Sequence, residues 1–84
     1  MARQMLEHPA SALLSEERPF LLRLAVLQLG RCDDAEDVVQ ETLIAGVKNW
    51  AHFAGQAPLR AWLTGILRHK IVDSFRARRE HVTL

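Results

Sequence analysis

Apolar residues recur at helical rather than strand spacing along this 84-residue chain, and three segments carry the pattern. The first runs from about Ser15 to Leu29. Ser15 is a candidate N-cap, followed by Glu16 and Glu17 in the first turn, where carboxylates oppose the positive end of the helix dipole. Pro19 falls at the edge of the first turn, where a missing N–H is tolerated. The stretch FLLRLAVLQL is apolar almost all round, which predicts burial on more than one face. Gly30 suits the residue that ends a helix in the left-handed conformation. Ahead of this segment, Ala10 to Leu14 has room for a short extra helix.

The second segment runs from about Asp34 to His52, with Asp33 or Asp34 placed to accept from the first free backbone N–H groups. Val39, Leu43, Val47 and Trp50 fall on one side and are the candidate core residues. Asp37, Gln40, Glu41, Ile44 and Lys48 fall on another and make a stripe that is polar except for Ile44. A loop follows at 53–57, punctuated by Gly55, and Pro58 suits the first position of a third helix running to about Arg79. Its apolar arc is Leu59, Leu63, Ile66, Leu67, Ile71 and Phe75. Its other side carries Ala61, Gly65, Arg68, His69, Val72 and Arg76, small residues beside cations, which would let a flat partner approach closely. The predicted fold is all-α: one domain over 1–84, a compact bundle of three main helices.

Composition supports this and adds a polarity. Apolar residues make up 49% of the chain, enough for a core, and tyrosine is absent. The net charge of +1 hides an uneven distribution. Residues 1–59 hold five Lys/Arg against eight Asp/Glu, a net of −3, and residues 60–84 hold six against two, a net of +4. Two surfaces with different partners are expected from such a split. The single cysteine, Cys32, excludes an internal disulfide framework, and a reducing cytoplasm fits best. The N-terminal segment has no continuous apolar stretch of signal-peptide type, and Arg23 and Gln28 interrupt the longest apolar runs, so no membrane partner is expected.

Candidate enzymatic chemistry is thin. There is no Gly-rich phosphate loop and no HExxH, and His8, His52, His69 and His81 are scattered without metal-ligand spacing. No catalytic residue, cofactor or metal is expected. The acidic run DDAEDVVQE has a plain reading as a dipole-compensating helix start, which accounts for Asp33, Asp34 and Glu36 but not for the stripe beyond them. The stripe reads as a docking surface for a basic partner. At the other end, Arg76, Arg78 and Arg79 would stabilise a helix C-terminus, yet Arg60, Arg68, His69 and Lys70 extend the charge along the whole helix. With Trp62 and Phe53 nearby, basic charge beside aromatic platforms matches the needs of single-stranded nucleic acid. For Trp62, plain core packing is the competing account.

The string AEDVVQET, followed by Trp50, Phe53-Ala-Gly55, Ala61-Trp62-Leu63, Ile66 and Asp73-Ser-Phe-Arg76, resembles region 2 of bacterial extracytoplasmic-function (ECF) RNA polymerase sigma factors over roughly residues 18–80. The resemblance implies a transcription initiation module that binds core RNA polymerase and the promoter −10 element. The helix bearing Asp37, Gln40, Glu41, Ile44 and Lys48 would dock on the clamp helices of the largest polymerase subunit. The non-template −10 strand would be held by Phe53, Gln56, Arg60, Trp62, Arg68, His69 and Arg76, with one base flipped out at the loop. Flipping costs a few kcal/mol, which contacts around that base have to offset. An anti-sigma factor is a further partner the resemblance implies.

Two departures from the family pattern stand out. Many members have Asn where this chain has His69, and the two side chains arrange donor and acceptor differently. Members also usually continue into a helix-turn-helix domain that reads the −35 element. No such domain fits in this chain, so an excised domain or truncated product is expected. The competing reading is a sigma-like protein-interaction module without promoter binding; buried ion pairs at Arg68 and Arg76, for instance between Asp73 and Arg76, would favour it. A duplex-binding helix-turn-helix is disfavoured by the long loop before the third helix.

Overall fold

A computed structural model describes residues 8–53, 55 and 57–82, with side chains through Arg78. Four α-helices make up the described chain: α1 (Ser11–Glu16), α2 (Arg18–Leu29), α3 (Cys32–Lys48) and α4 (Leu59–Val82), with a 3₁₀ turn at Trp50–His52. No strand occurs among the described residues. α3 is the central element, packing against α2 on one side and α4 on the other. The long dimension of 43 Å follows from α4, whose 24 residues span about 36 Å at 1.5 Å per residue.

The sequence pattern predicted one helix from Ser15; the chain makes two. Pro19 cannot donate to the carbonyl of Ser15, and its ring crowds that carbonyl, so the helix cannot run through. α1 ends at Glu16, and α2 restarts at Arg18 with Pro19 in its first turn. Ser15 is therefore inside α1 and caps nothing, and the junction residue Glu17 makes no side-chain cap bond either. α1 extends the short helix expected at Ala10–Leu14. Gly30 closes α2 as expected, with φ 73° and its N–H donating to the Val26 carbonyl at 2.8 Å.

The start of α3 differs too. Arg31 is the extended N-cap residue, and neither Asp33 nor Asp34 caps; both lie inside the first turn. The left-handed Gly30 and extended Arg31 redirect the chain so abruptly that the helix begins at Cys32. The two aspartates then act on the exposed N–H groups through the dipole. The helix ends at Lys48, where the expected end was His52, and residues 50–52 tighten into the 3₁₀ turn.

Leu14, Leu21, Ala25, Val39, Leu43, Leu63, Leu67 and Ile71 form the centre of the core. Val39 and Leu43 are buried as predicted, whereas Val47 and Trp50 are half-buried at the margin. Thr42 is the buried polar side chain among the described residues; its hydroxyl donates to the Val38 carbonyl at 2.7 Å, so nothing is left unsatisfied. Gly46 sits under neighbouring leucines, where it leaves no room for a side chain: a Cβ there would lie 3.1 Å from Leu63 Cδ2 and 3.4 Å from Leu14 Cδ2. Phe75, predicted on the apolar arc, is 43% exposed. The seam of α4 against α3 passes from Ile71 through Ser74 to Arg78, which contacts Asp34, and that drift leaves Phe75 at the edge.

Candidate functional site: an acidic and a basic helix face

The acidic stripe forms as predicted on α3, with Asp37, Gln40, Glu41 and Lys48 exposed and Ile44 half-buried. It does not end at the helix. Asp34, Asp37, Val38 and Glu41 face Lys70, Asp73, Ser74 and Ala77 of α4 across one groove. Glu41, Ile44, Ala45, Lys48 and Asn49 face Lys70 across a second. Lys70 and Asp73 therefore belong to the α3 side of the molecule. Sequence reading grouped Lys70 with the basic residues and left Asp73 as a partner for Arg76. Their three-residue spacing, one step round from Arg68 and Val72, was the available signal.

On another side of α4, Gly65, Arg68, His69, Val72 and Arg76 line a shallow concavity. A Cβ on Gly65 would meet nothing within 4 Å, so its lack of a side chain leaves the floor of that concavity open. Arg68, His69 and Arg76 are exposed, and among the described residues neither arginine pairs with a carboxylate. The feared Asp73–Arg76 pair is not among them. Val72, 48% exposed, adds an apolar spot between the cations.

Where the 3₁₀ turn leads into the loop, the aromatic residues converge. Phe53 and Trp62 lie with ring centroids 5.0 Å apart, Trp50 sits 5.4 Å from Phe53 and 6.2 Å edge-on to Trp62, and His8 meets Trp50 edge-on at 6.5 Å. Trp62 and Phe53 are both half-buried; Trp62 packs against the core margin, Phe53 packs on the two tryptophans, and each still offers surface. Gly55 supplies the loop's left-handed residue, φ 72°. Gln56 lies outside the described residues. His8 and Trp50 were not anticipated as members of this cluster; Trp50's helical spacing pointed to the core instead.

The remaining predicted contact residue, Arg60, is already engaged. Its Nε donates to Glu17 Oε1 at 2.7 Å, and its guanidinium lies 4.2 Å over the ring of Phe20. At the far end of α4, Arg78 pairs with Asp34, which Arg31 also approaches at 3.8 Å. Cys32 is exposed at the first position of α3. Among the described residues no group of three or more His, Cys, Asp or Glu could hold a metal ion, and no helix is long and apolar enough to cross a membrane.

Residues 13–81, spanning α2, α3 and nearly all of α4, match the model of sigma-70 region 2. The chain belongs to the sigma-70 region 2 family. A probable RNA polymerase sigma factor of Haemophilus influenzae is 38% identical over 65 residues, 77% of this chain and 34% of that protein. The ECF RNA polymerase sigma factor EcfG of Rhodopseudomonas palustris is 39% identical over 64 residues, 76% of this chain and 35% of its own length. The ECF RNA polymerase sigma factor SigL of Mycobacterium tuberculosis is 40% identical over 72 residues, 81% of this chain and 39% of its own length. This region 2 chain thus spans little more than a third of the curated relatives it matches. No solved structure matches it. The resemblance to ECF sigma factors read from AEDVVQET onward agrees with both comparisons.

Proposed function

We propose that this region 2 chain is the part of an ECF-type sigma factor that joins core RNA polymerase to the promoter −10 element in transcription initiation. It has no enzymatic role in this reading. The stripe Asp37, Gln40, Glu41, Ile44 and Lys48 docks on the clamp helices of the largest polymerase subunit. The unpaired non-template strand crosses the concavity at Arg68, His69 and Arg76, and its bases stack on Phe53 and Trp62. An anti-sigma factor would compete for either face. The supporting observation is that Arg68 and Arg76 stand exposed without a carboxylate partner among the described residues, on a side of α4 distinct from the acidic grooves.

Stacking on exposed aromatic faces tolerates many sequences and is worth about 1–3 kcal/mol per base. Half-buried rings such as Phe53 and Trp62 lose little freedom on gaining a base. The two arginines neutralise phosphates, and the released counterions make binding salt-dependent. The test is co-purification of the chain with core polymerase, followed by addition of a fluorescent −10 single strand. Simultaneous retention of both supports the reading. A strand that displaces polymerase, or an affinity for the strand that does not change with salt, overturns it.

A further inference from the structure

The geometry points to Arg60 as a positioning residue that holds the first turn of α4, and with it Trp62, against Phe53, rather than as a phosphate ligand. The inference rests on the proposed reading of Phe53 and Trp62 as a base platform.

Three features of the chain converge on this arginine. Pro19 forces the α1–α2 break and leaves Glu17 at the junction with no side-chain cap bond, so its carboxylate is free for a distant donor. The Glu17 side chain is 18% exposed and that of Arg60 53%, so the carboxylate end of the pair is sheltered while the guanidinium end stays open to solvent and gains its hold from the ring beneath it. Phe20, one turn further into α2, lies under the guanidinium at 4.2 Å. Arginine can donate from Nε along its plane while stacking that plane on a ring, and lysine cannot do both. The orientation that satisfies Glu17 is thus the one that covers Phe20.

The consequence falls two residues on. Trp62 meets Phe53 at 5.0 Å and Trp50 at 6.2 Å, and the loop between Phe53 and Leu59 joins the two sides of that contact. Its proximal end is fixed by the 3₁₀ turn and Trp50. Its distal end is fixed by the first turn of α4, where the Arg60 contact to Glu17 reaches across 43 positions of sequence. Releasing that contact frees the α4 side of the platform without touching Arg68, Arg76 or the acidic stripe.

The test compares Glu17→Gln, Arg60→Lys, Arg60→Ala and the Glu17→Gln/Arg60→Lys double variant with the unmodified 84-residue chain. The probes are ten-nucleotide dT strands whose three central positions run through every base combination, with an abasic centre as control. Near-ultraviolet circular dichroism reports the packing of Trp50 and Trp62, and far-ultraviolet dichroism reports overall helicity. A positioning role predicts that each single variant narrows the spread of affinities across the panel by about threefold to tenfold. It also predicts a weaker near-ultraviolet signal, unchanged helicity and salt slope, and a double variant no worse than either single one. A phosphate ligand predicts the reverse: Glu17→Gln binds as well or better, Arg60→Lys keeps its affinity, and Arg60→Ala lowers the salt slope by about 0.7. Any one of those results, or an unaltered near-ultraviolet signal in all the single variants, overturns the assignment. An unmodified chain that shows no base dependence at all would count against the platform itself, while the near-ultraviolet comparison still decides whether Arg60 holds Trp62.

Discussion

The acidic face of α3 and the basic face of α4 differ less in their charge than in where that charge is already used. On α3 the pairing is confined to the first turn, where Asp34 meets Arg78 and lies near Arg31. Asp37 and Glu41 beyond it make no ion pair among the described residues. On α4 the pairing sits at both ends, Arg60 with Glu17 and Arg78 with Asp34, and the middle is left open at Arg68 and Arg76. The same residue type therefore fastens helices at one position and faces solvent two turns away. A charge count along the chain marks a helix as basic; which of its cations remain free for a partner depends on what the fold places opposite each one.

That contrast is best broken by attacking the acidic face first. Glu41→Arg with Gln40→Ala reverses charge at the centre of the stripe, where neither side chain has a hydrogen-bond or ion-pair partner among the described residues. Core polymerase affinity is expected to fall by roughly two orders of magnitude, as for the loss of an interface hot spot. Helicity and single-strand binding should stay as they were. Parallel titrations against core polymerase and a labelled strand would read this, and unchanged polymerase affinity would remove the docking assignment. Next in size is Arg68→Ala with Arg76→Ala. Losing two phosphate contacts lowers the single-strand salt slope by about 1.4 and the affinity by about tenfold near physiological salt. A slope that does not move means the concavity is not where the strand lies.

The helices and the acidic stripe were legible in the sequence because both depend on spacing along one element. Val39 and Leu43, or Asp37, Gln40 and Glu41, stay in register whatever the rest of the chain does. The α1–α2 break was half legible: Pro19 was visible, but the weight of its missing N–H against an apolar run was not. The division of α4 was not legible. Whether Lys70 joins the acidic grooves, whether Arg60 or Arg68 is engaged, and whether Phe75 is covered all depend on how α4 is rotated against α3 and which turn meets the α1–α2 junction. Those are contacts between residues far apart in the chain, 43 and 44 positions for the Arg60–Glu17 and Arg78–Asp34 pairs, and helical periodicity contains no information about them.

Gly46 offers a smaller and more diagnostic perturbation, because it lies on α3 where that helix approaches Leu63 of α4. Gly46→Val puts a branched side chain into space where even a Cβ would be 3.1 Å from Leu63. Overpacking of this kind costs about 1–3 kcal/mol, and the better helix propensity of valine offsets only a few tenths of that. The midpoint of urea unfolding should drop accordingly. If the two faces are separate surfaces on one cooperative unit, polymerase and strand affinities should fall together, and only under conditions where the variant is partly unfolded. A variant that lost one activity alone while fully folded would show that the α3–α4 approach tunes that face directly.

The smallest expected effect is at His69, and it separates placing the strand from reading it. The ring stands exposed in the concavity between Arg68 and Val72, beside Gly65. A neutral imidazole presents its donor and acceptor on different ring edges, whereas the amide of asparagine presents both at one end. His69→Asn should therefore leave total affinity for a strand within about twofold, since the arginines on either side supply the phosphate attraction. Its effect should be a reordering of base preference by about two- to fivefold, the size of one hydrogen bond gained or lost. Competition among strands that differ at a single base would measure that reordering. An identical preference order in the two proteins would mean that His69 lies beside the strand without touching a base edge, and that the discrimination, where present, belongs to the aromatic platform at Phe53 and Trp62.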